Sequence, residues 1–408
     1  MDLNIAKPIT FRCGLTLPNR LVKASMSEEL ADENHQPNGK QMLAVYKGWA
    51  QGGWGMVFTG NVHVDAMHVV SPHDIAIDAS IPREETIAIW KKWSEACCAN
   101  GTKAIVQINH PGRQTPFAKG IAPSAIPLDL GTGIIPWLVK MIVFGTPREM
   151  TILDIDDTIQ KFANAAQLAS EAGFAGVEIH AAHGYLLAQF LSQRCNKRTD
   201  EYGGSAVARA KIVVDIIKAI RATVPSSFCI GVKLNSADHQ TNMDNVEEIL
   251  EQVGAIVDTG VDFLEISGGT WENPVFNTGI EKVQTKAGTL AREAFFIEFA
   301  STIRSKFSQV PFMVTGGFRS RNGMEAAIID GSCDLIGMAR PSALNPSLPH
   351  QILLNPAVPN NQAIAPAPKI EASSFSKFLG IKALGVGPEM SWYTKNLAQI
   401  GATRFTEN

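Results

Sequence analysis

Eight short runs rich in Val, Ile and Phe recur along the chain at intervals of roughly 40 residues, and no other feature constrains the fold so strongly. They are "LVKASM" from 21, "GMVFTGNV" from 55, "KAIVQIN" from 103, "GVEIHA" from 176, "FCIGVKLN" from 228, "FLEISGG" from 263, "PFMVTGG" from 311 and "DLIGMAR" from 334. Amphipathic stretches with helical spacing lie between them, among others at 83–99, 153–172, 207–222, 244–259 and 288–306. Strands alternating with helices imply a parallel sheet. Eight such units close into a (β/α)8 barrel of the TIM type. The sequence therefore predicts an α/β barrel over residues 1–350, with an insertion at 111–152 after strand 3. Residues 351–408 read as a linker, rich in Pro, Ala and Asn at 355–370, and a C-terminal helical extension with short helices at 372–383 and 389–401.

The insertion follows the C-terminal end of a strand, where barrel active sites lie, and long loops in compact domains are usually functional. Within it, "IIPWLVKMIVF" (134–144) is apolar except for Lys140. That run is too short to span a bilayer. It reads as a hairpin or lid packed over the barrel, with contact to a partner subunit or a membrane surface as the alternative.

Bulk properties remove several function classes. The formal net charge is −3 and no dense Lys/Arg block is present, so nucleic acid is not an expected partner. No apolar run reaches bilayer-spanning length, and the start "MDLNIAKPITFRCG" lacks a signal-peptide core, so a cytoplasmic location without a transmembrane segment is expected. The six cysteines, at 13, 97, 98, 195, 229 and 333, include no C-x-x-C pair. They read as isolated thiols, neither a disulfide framework nor a metal-cluster pattern.

Side chains alternate along a strand, so period-two arithmetic sorts inside from outside. Strand 3 sets Ala104, Val106 and Ile108 against Ile105, Gln107 and Asn109; strand 4 sets Val177 and Ile179 against Glu178 and His180; strand 5 sets Ile230, Val232 and Leu234 against Gly231, Lys233 and Asn235. Apolar faces meet the helices, which leaves Gln107, His180 and Lys233 pointing at the barrel axis. A buried lysine is costly without a partner. Either Lys233 pairs with Glu178 or Glu265, or a ligand with carbonyl and ring-nitrogen acceptors uses these donors. Strand 7 ends in "TGG" (315–317) and strand 8 in "GMAR" (337–340). Barrels often hold a phosphate between the loops after strands 7 and 8; glycine permits close backbone approach and Arg340 supplies a fixed cationic fork. A flat polar head near strands 3–5 with a phosphate at strands 7–8 describes flavin mononucleotide.

The stretch "HAAHGYLLAQFLSQRCNKRTDEYGG" (180–204), preceded by "GFAGVEIH" and closed by "YGGS", resembles the old yellow enzyme family of FMN-dependent NAD(P)H oxidoreductases. The likeness extends from "LPNRLVKASMS" (17–27) to "GMARPSALNPSLP" (337–349) and includes "QINHPGRQ" (107–114) and "TGGFRS" (315–320). The resemblance implies that Ala24, Ser25 and Ser27 line the flavin after strand 1 and that Gly60 lies close to its ring after strand 2. It places Gln107 on the pyrimidine edge and Lys233 at the N1/O2 side. Gly317, Gly337 and Arg340 then hold the phosphate. His180 and His183 bond the oxygen of the substrate's activating group, and Tyr185 is the proton donor. The implied reductant is NADPH or NADH, the substrate a small molecule with an activated C=C bond, an α,β-unsaturated carbonyl compound or a nitroalkene. A homo-oligomer is implied as well.

Three departures from the family pattern stand out. Lys233 occupies a position where many relatives carry Arg, which keeps the charge but loses the bidentate fork. Ser27 stands where Thr or Cys is usual and retains a hydroxyl donor. The iron–sulfur cysteines and further dinucleotide domain of the larger relatives have no counterpart here.

In the implied reaction, negative charge develops on the substrate oxygen. Two histidine donors stabilise it by about 3 kcal/mol each. A tyrosine with a pKa near 10 is protonated at neutral pH and can donate without tuning. Other readings of the same residues stay open. An NAD(P)H oxidase or quinone reductase could use the same flavin. His180 and His183 could be a metal pair of a barrel hydrolase, with His110 or Asp200 as third ligand, although no further ligand cluster is visible and no metal is expected. Tyr185 could be a packing residue. A non-catalytic barrel that binds a ligand or partner through the insertion is a further alternative. Arg198 and Asp200 read as a turn that fixes scaffold, and Trp271 as a residue lining the substrate pocket or shielding it from solvent.

Overall fold

The computed structural model describes residues 2–131, 133–235, 246–267, 302–370 and 382–406. Eight parallel strands form the barrel: β1 (Leu21–Lys23), β2 (Met56–His63), β3 (Lys103–Asn109), β4 (Gly176–Ala181), β5 (Cys229–Asn235), β6 (Phe263–Ser267), β7 (Phe312–Thr315) and β8 (Leu335–Met338). Each strand pairs with its sequence neighbours, and β1 pairs with both β2 and β8, so the sheet closes on itself. All eight coincide with the apolar runs of the sequence. Around them lie α1 (Lys40–Ala50), α2 (Arg83–Cys97), α3 (Ile134–Val139), α4 (Ile152–Glu171), α5 (Leu186–Leu191), α6 (Ala206–Thr223), α7 (Val246–Val257), α8 (Arg321–Ile329), α9 (Arg340–Leu344) and α10 (Lys382–Thr406). The helix begins follow local chemistry. Thr151 caps α4 through a reciprocal bond with Asp154, and Ser205 and Ser320 accept from the third residue of α6 and α8.

Two cores result from the alternation of strand side chains. Outward residues such as Val106, Val177, Ile179, Val232 and Ile266 pack under the helices. Inward residues at the N-terminal end, including Met56, Phe58, Ile105, Cys229, Phe263, Met313 and Leu335, fill the barrel floor. Phe11 and Leu17 close that floor from a short N-terminal ribbon. Gly231 is required there, because a Cβ would stand 2.0 Å from the Phe263 ring.

The insertion is held as a loop whose ends meet, Ile121 pairing with Arg148 and Ala122 with Glu149. The 134–144 segment is helical and no hairpin: α3 continues into one wide turn at Lys140–Phe144, bounded by Gly133 at φ 117° and Gly145 at φ 65°. Pro136 sits in the first turn, where a missing N–H costs nothing. Ile134, Trp137, Leu138, Met141 and Ile142, spaced on one helical face, are exposed rather than packed on the barrel. Arg198 ties the insertion to the scaffold, bonding Pro123 O and Met150 O while its other edge grips Asp200.

Where a short helix at 389–401 is expected, the longer α10 runs through 382–406 and carries Pro388 within it. It packs on α1, where Gly401 approaches Gln41 O so closely that a Cβ would stand 2.6 Å away. Residues 372–381, most of the expected helix 288–306, and Trp271 lie outside the described residues. No described helix is long and apolar enough to cross a membrane.

Candidate active site

A cavity of about 520 Å³ opens at the C-terminal end of the strands. That volume lies within the ordinary range for cofactor sites. Its wall brings together Ser25, Ser27, Gln107, His180, His183, Tyr185, Lys233, Gly317, Gly337 and Arg340. Two residues read from the sequence do not line it. Ala24 is fully buried, its N–H bonded to Met338 O. Gly60 lies one layer behind, where a Cβ would meet Glu28 Oε2 at 2.0 Å and Met26 O at 2.6 Å. Its N–H donates to Tyr46 Oη, which in turn donates to Glu28.

Strand register builds the polar layer above the apolar floor. Gln107 is level with Glu178, and Lys233 with both His180 and Glu265. Gln107 Nε2 donates to Glu178 Oε2 at 2.6 Å, and its Oε1 accepts from Ser25 Oγ at 2.7 Å. Lys233 Nζ lies 2.6 Å from Glu265 Oε1. Of the two partners the sequence left open for Lys233, Glu265 is the one in contact. Burial raises the Glu178 carboxyl well above the usual range, and the neighbouring Glu265 charge adds to this.

The histidine loop is fixed from three sides. His183 adopts φ 58° and Gly184 φ 73°, which turns the chain back toward the cavity. Asn235 Oδ1 accepts from His183 N–H at 2.6 Å. Gln114 and Gln189 donate to the carbonyls of His183 and Gly184, and Leu186 N–H bonds His110 O. His180 Nε2 and His183 Nδ1 lie 3.2 Å apart, and His183 Nε2 lies 3.2 Å from Ser267 Oγ. Burial pulls the His180 pKa well below its usual value, with the charges of His183 and Lys233 adding to the effect. Tyr185 stands at the start of α5, its ring edge-on to His180 with centroids 5.1 Å apart. His110 and Asp200 do not join the two histidines: His110 stacks on His68, and Asp200 is bound by Arg198.

The far end of the cavity is formed by Thr315, Gly316, Gly317, Gly337 and Arg340. Gly316 and Gly317 have φ of 120° and 85°, conformations that leave their backbone open to close approach. Gly337 is needed because a Cβ would stand 1.9 Å from Thr315 Oγ1. That hydroxyl is buried with no protein partner among the described residues. An orphaned donor, two left-handed glycines and an arginine at the β7–β8 end are a donor set that fits a phosphate. With Gln107 and Lys233 some way along the same cavity, the residues present fit FMN.

Further residues line the cavity or support those that do. Ser27 Oγ donates to Asp74 Oδ1 at 3.0 Å, and Asp74 also binds His63. Ser267 stands two residues beyond Glu265 on the inward face, so the period-two count could have found it. Glu389, Met390, Tyr393 and Thr394 come from α10 and line the cavity at its phosphate-like end. Glu389 Oε1 meets Arg340 Nη1 at 2.8 Å. Nothing local to residue 389 signals that contact.

Comparison with known proteins agrees with this architecture. The profile of the NADH:flavin oxidoreductase / NADH oxidase family matches residues 4–355. The chain is 47% identical over 411 residues to the NADH-dependent flavin oxidoreductase iccE of Talaromyces variabilis, covering 98% of this chain and 99% of that protein. It is 35% identical over 365 residues to the NADH-dependent flavin oxidoreductase nadA of Aspergillus parasiticus, covering 86% and 78% of the two chains. In fold it is similar to the old yellow enzyme homologue from Zymomonas mobilis, with a TM-score of 0.71 at 23% identity over 88% of this chain and 94% of that one.

Proposed function

The chain belongs to the NADH:flavin oxidoreductase / NADH oxidase family and is an FMN-dependent, NAD(P)H-oxidising enzyme of old yellow enzyme type, and from that premise we propose that it reduces the activated C=C bond of an α,β-unsaturated carbonyl compound or a nitroalkene. The observation that carries this reading is that His180, His183 and Tyr185 share one cavity wall with the Gln107–Lys233 layer. NADH is the favoured reductant, by analogy with the relatives named NADH-dependent.

Bound FMN supplies the hydride taken from the nicotinamide. The protein's own residues do the rest. His180 and His183 hold the carbonyl or nitro oxygen, where negative charge develops as the β-carbon accepts hydride. Donors placed in advance in a buried site are worth about 3 kcal/mol each in such a step. Tyr185, whose ring is braced by His180, gives its phenolic proton to the α-carbon. Lys233 presents positive charge inside the barrel, balanced in part by Glu265. Gln107, held by Ser25 and Glu178, fixes the amide orientation that a flat heteroaromatic ring must match.

An anaerobic spectral titration tests this. The holoenzyme bleached with NADH is expected to regain its flavin spectrum on addition of 2-cyclohexenone or a nitroalkene. Recovery with oxygen or a quinone only would overturn the C=C assignment in favour of an oxidase or quinone reductase.

A further inference from the structure

We infer that Ser267 is a positioning residue that lets His183 change tautomer when a substrate oxygen binds; the inference rests on the proposed role of the two histidines as donors to one substrate oxygen. Three hydrogen bonds fix the proton positions of the free enzyme. Ala182 N–H, which can only donate, points at His180 Nδ1 from 3.2 Å, so that nitrogen carries no proton. A neutral His180 therefore bears its proton on Nε2, which faces His183 Nδ1 at 3.2 Å. One proton fits between the two nitrogens and it belongs to His180, so His183 Nδ1 accepts. His183 then carries its own proton on Nε2, which donates to Ser267 Oγ at 3.2 Å. The relay runs one way, from His180 through His183 to Ser267.

That arrangement supplies one donor to a substrate oxygen, not two. For His183 to donate from Nδ1, its proton must be on Nδ1, and Nε2 must then accept. A serine hydroxyl rotates freely between accepting and donating, so Ser267 satisfies His183 in either tautomer. Rotation of the ring is the competing way to re-aim a donor. It would break the ring's bonds to His180 and Ser267, while the backbone is held separately by Asn235 Oδ1, which accepts from His183 N–H at 2.6 Å. Asn235 and Ser267 are register partners on β5 and β6. The same strand pair thus holds the backbone of His183 with one residue and its ring with the other. Two residues lower it joins Lys233 to Glu265.

The test uses FMN-loaded enzyme and 4-nitrophenol, whose phenolate oxygen stands in for the developing oxyanion, with binding followed by calorimetry. Ser267→Ala removes the hydroxyl that can donate to Nε2, so His183 is expected to stay protonated on Nε2 and the phenolate to lose one donor, weakening 4-nitrophenol about tenfold, the scale of a hydrogen bond to a charged group. Ser267→Thr, which keeps a hydroxyl, is expected to restore binding. With 15N-labelled histidine, the wild type is expected to move its His183 proton from Nε2 to Nδ1 when the phenol binds. A Ser267→Ala variant that binds as tightly as wild type, or a wild type whose His183 stays protonated on Nε2 in the complex, would overturn the inference. His180→Ala separates the two levels. If it also leaves phenol binding unchanged, the oxyanion reading of the histidines fails; if it abolishes binding while Ser267→Ala has no effect, only the role of Ser267 fails.

Discussion

Lys233 meets Glu265 at 2.6 Å inside the barrel, so the cation proposed to face the cofactor is partly neutralised by the next strand. Negative charge on a reduced flavin bound there would compete with that carboxylate for the ammonium. Replacing Glu265 by Gln is expected to raise the FMN midpoint potential by roughly 30 mV, equal to about 1.4 kcal/mol for a two-electron couple. Lys233→Met is expected to lower it by a similar amount. Spectroelectrochemical titration of the two variants checks both signs; equal potentials would remove Lys233 from the flavin's electrostatics.

Tyr185→Phe removes the proposed acid but keeps the ring that packs edge-on against His180. The rate of reoxidation by an enone is expected to fall by roughly 100- to 10,000-fold. Flavin reduction by NADH is expected to stay near wild type. Stopped-flow measurement of the two half-reactions separates this from a packing defect, which would slow both.

Glu178 titrates in the folded protein well above its unfolded value, because burial and the nearby Glu265 charge disfavour its ionised form. Its protonated form therefore contributes stability that is full below the unfolded pKa, near 4.3, and is lost as pH rises toward the folded pKa. Glu178→Gln imitates the protonated acid at every pH. The variant is expected to gain on wild type by up to about 1.4 kcal/mol per pH unit through that window. Urea midpoints measured from pH 5 to 8 test this; parallel profiles would contradict it.

Arg340 stands at the glycine-lined end of the cavity. Arg340→Ala is expected to weaken FMN by roughly 10- to 100-fold, the scale of a hydrogen bond to a charged group. Fluorescence titration of apoprotein with FMN and with riboflavin checks it: the loss should appear with FMN and be absent with riboflavin, which has no phosphate.

Gly231→Ala places a methyl 2.0 Å from the Phe263 ring in the barrel floor. Overpacking there is expected to cost roughly 1–3 kcal/mol of stability. Denaturant unfolding of the variant reads this directly.

The sequence by itself determined the barrel, because strand and helix each impose a local period and eight repeats of the pair close in one way. It also determined which face of β3, β4 and β5 is polar, since alternation along a strand needs no knowledge of neighbours. His180, His183 and Tyr185 lie within six consecutive residues, and it is the family resemblance of that stretch, not alternation, that made their roles legible. Only the tertiary structure decided who meets whom across strands. Lys233 had two carboxylates within reach of its face, and the register that levels it with Glu265, together with the capture of Glu178 by Gln107, chose between them. Glu389 reaches Arg340 from 49 residues away, and Ser267 reaches His183 from 84. The apolar run at 134–144 predicts burial, yet its outer face is exposed. Periodicity reports what a segment could bury, whereas contacts between distant segments depend on the geometry of closure, which no local pattern encodes.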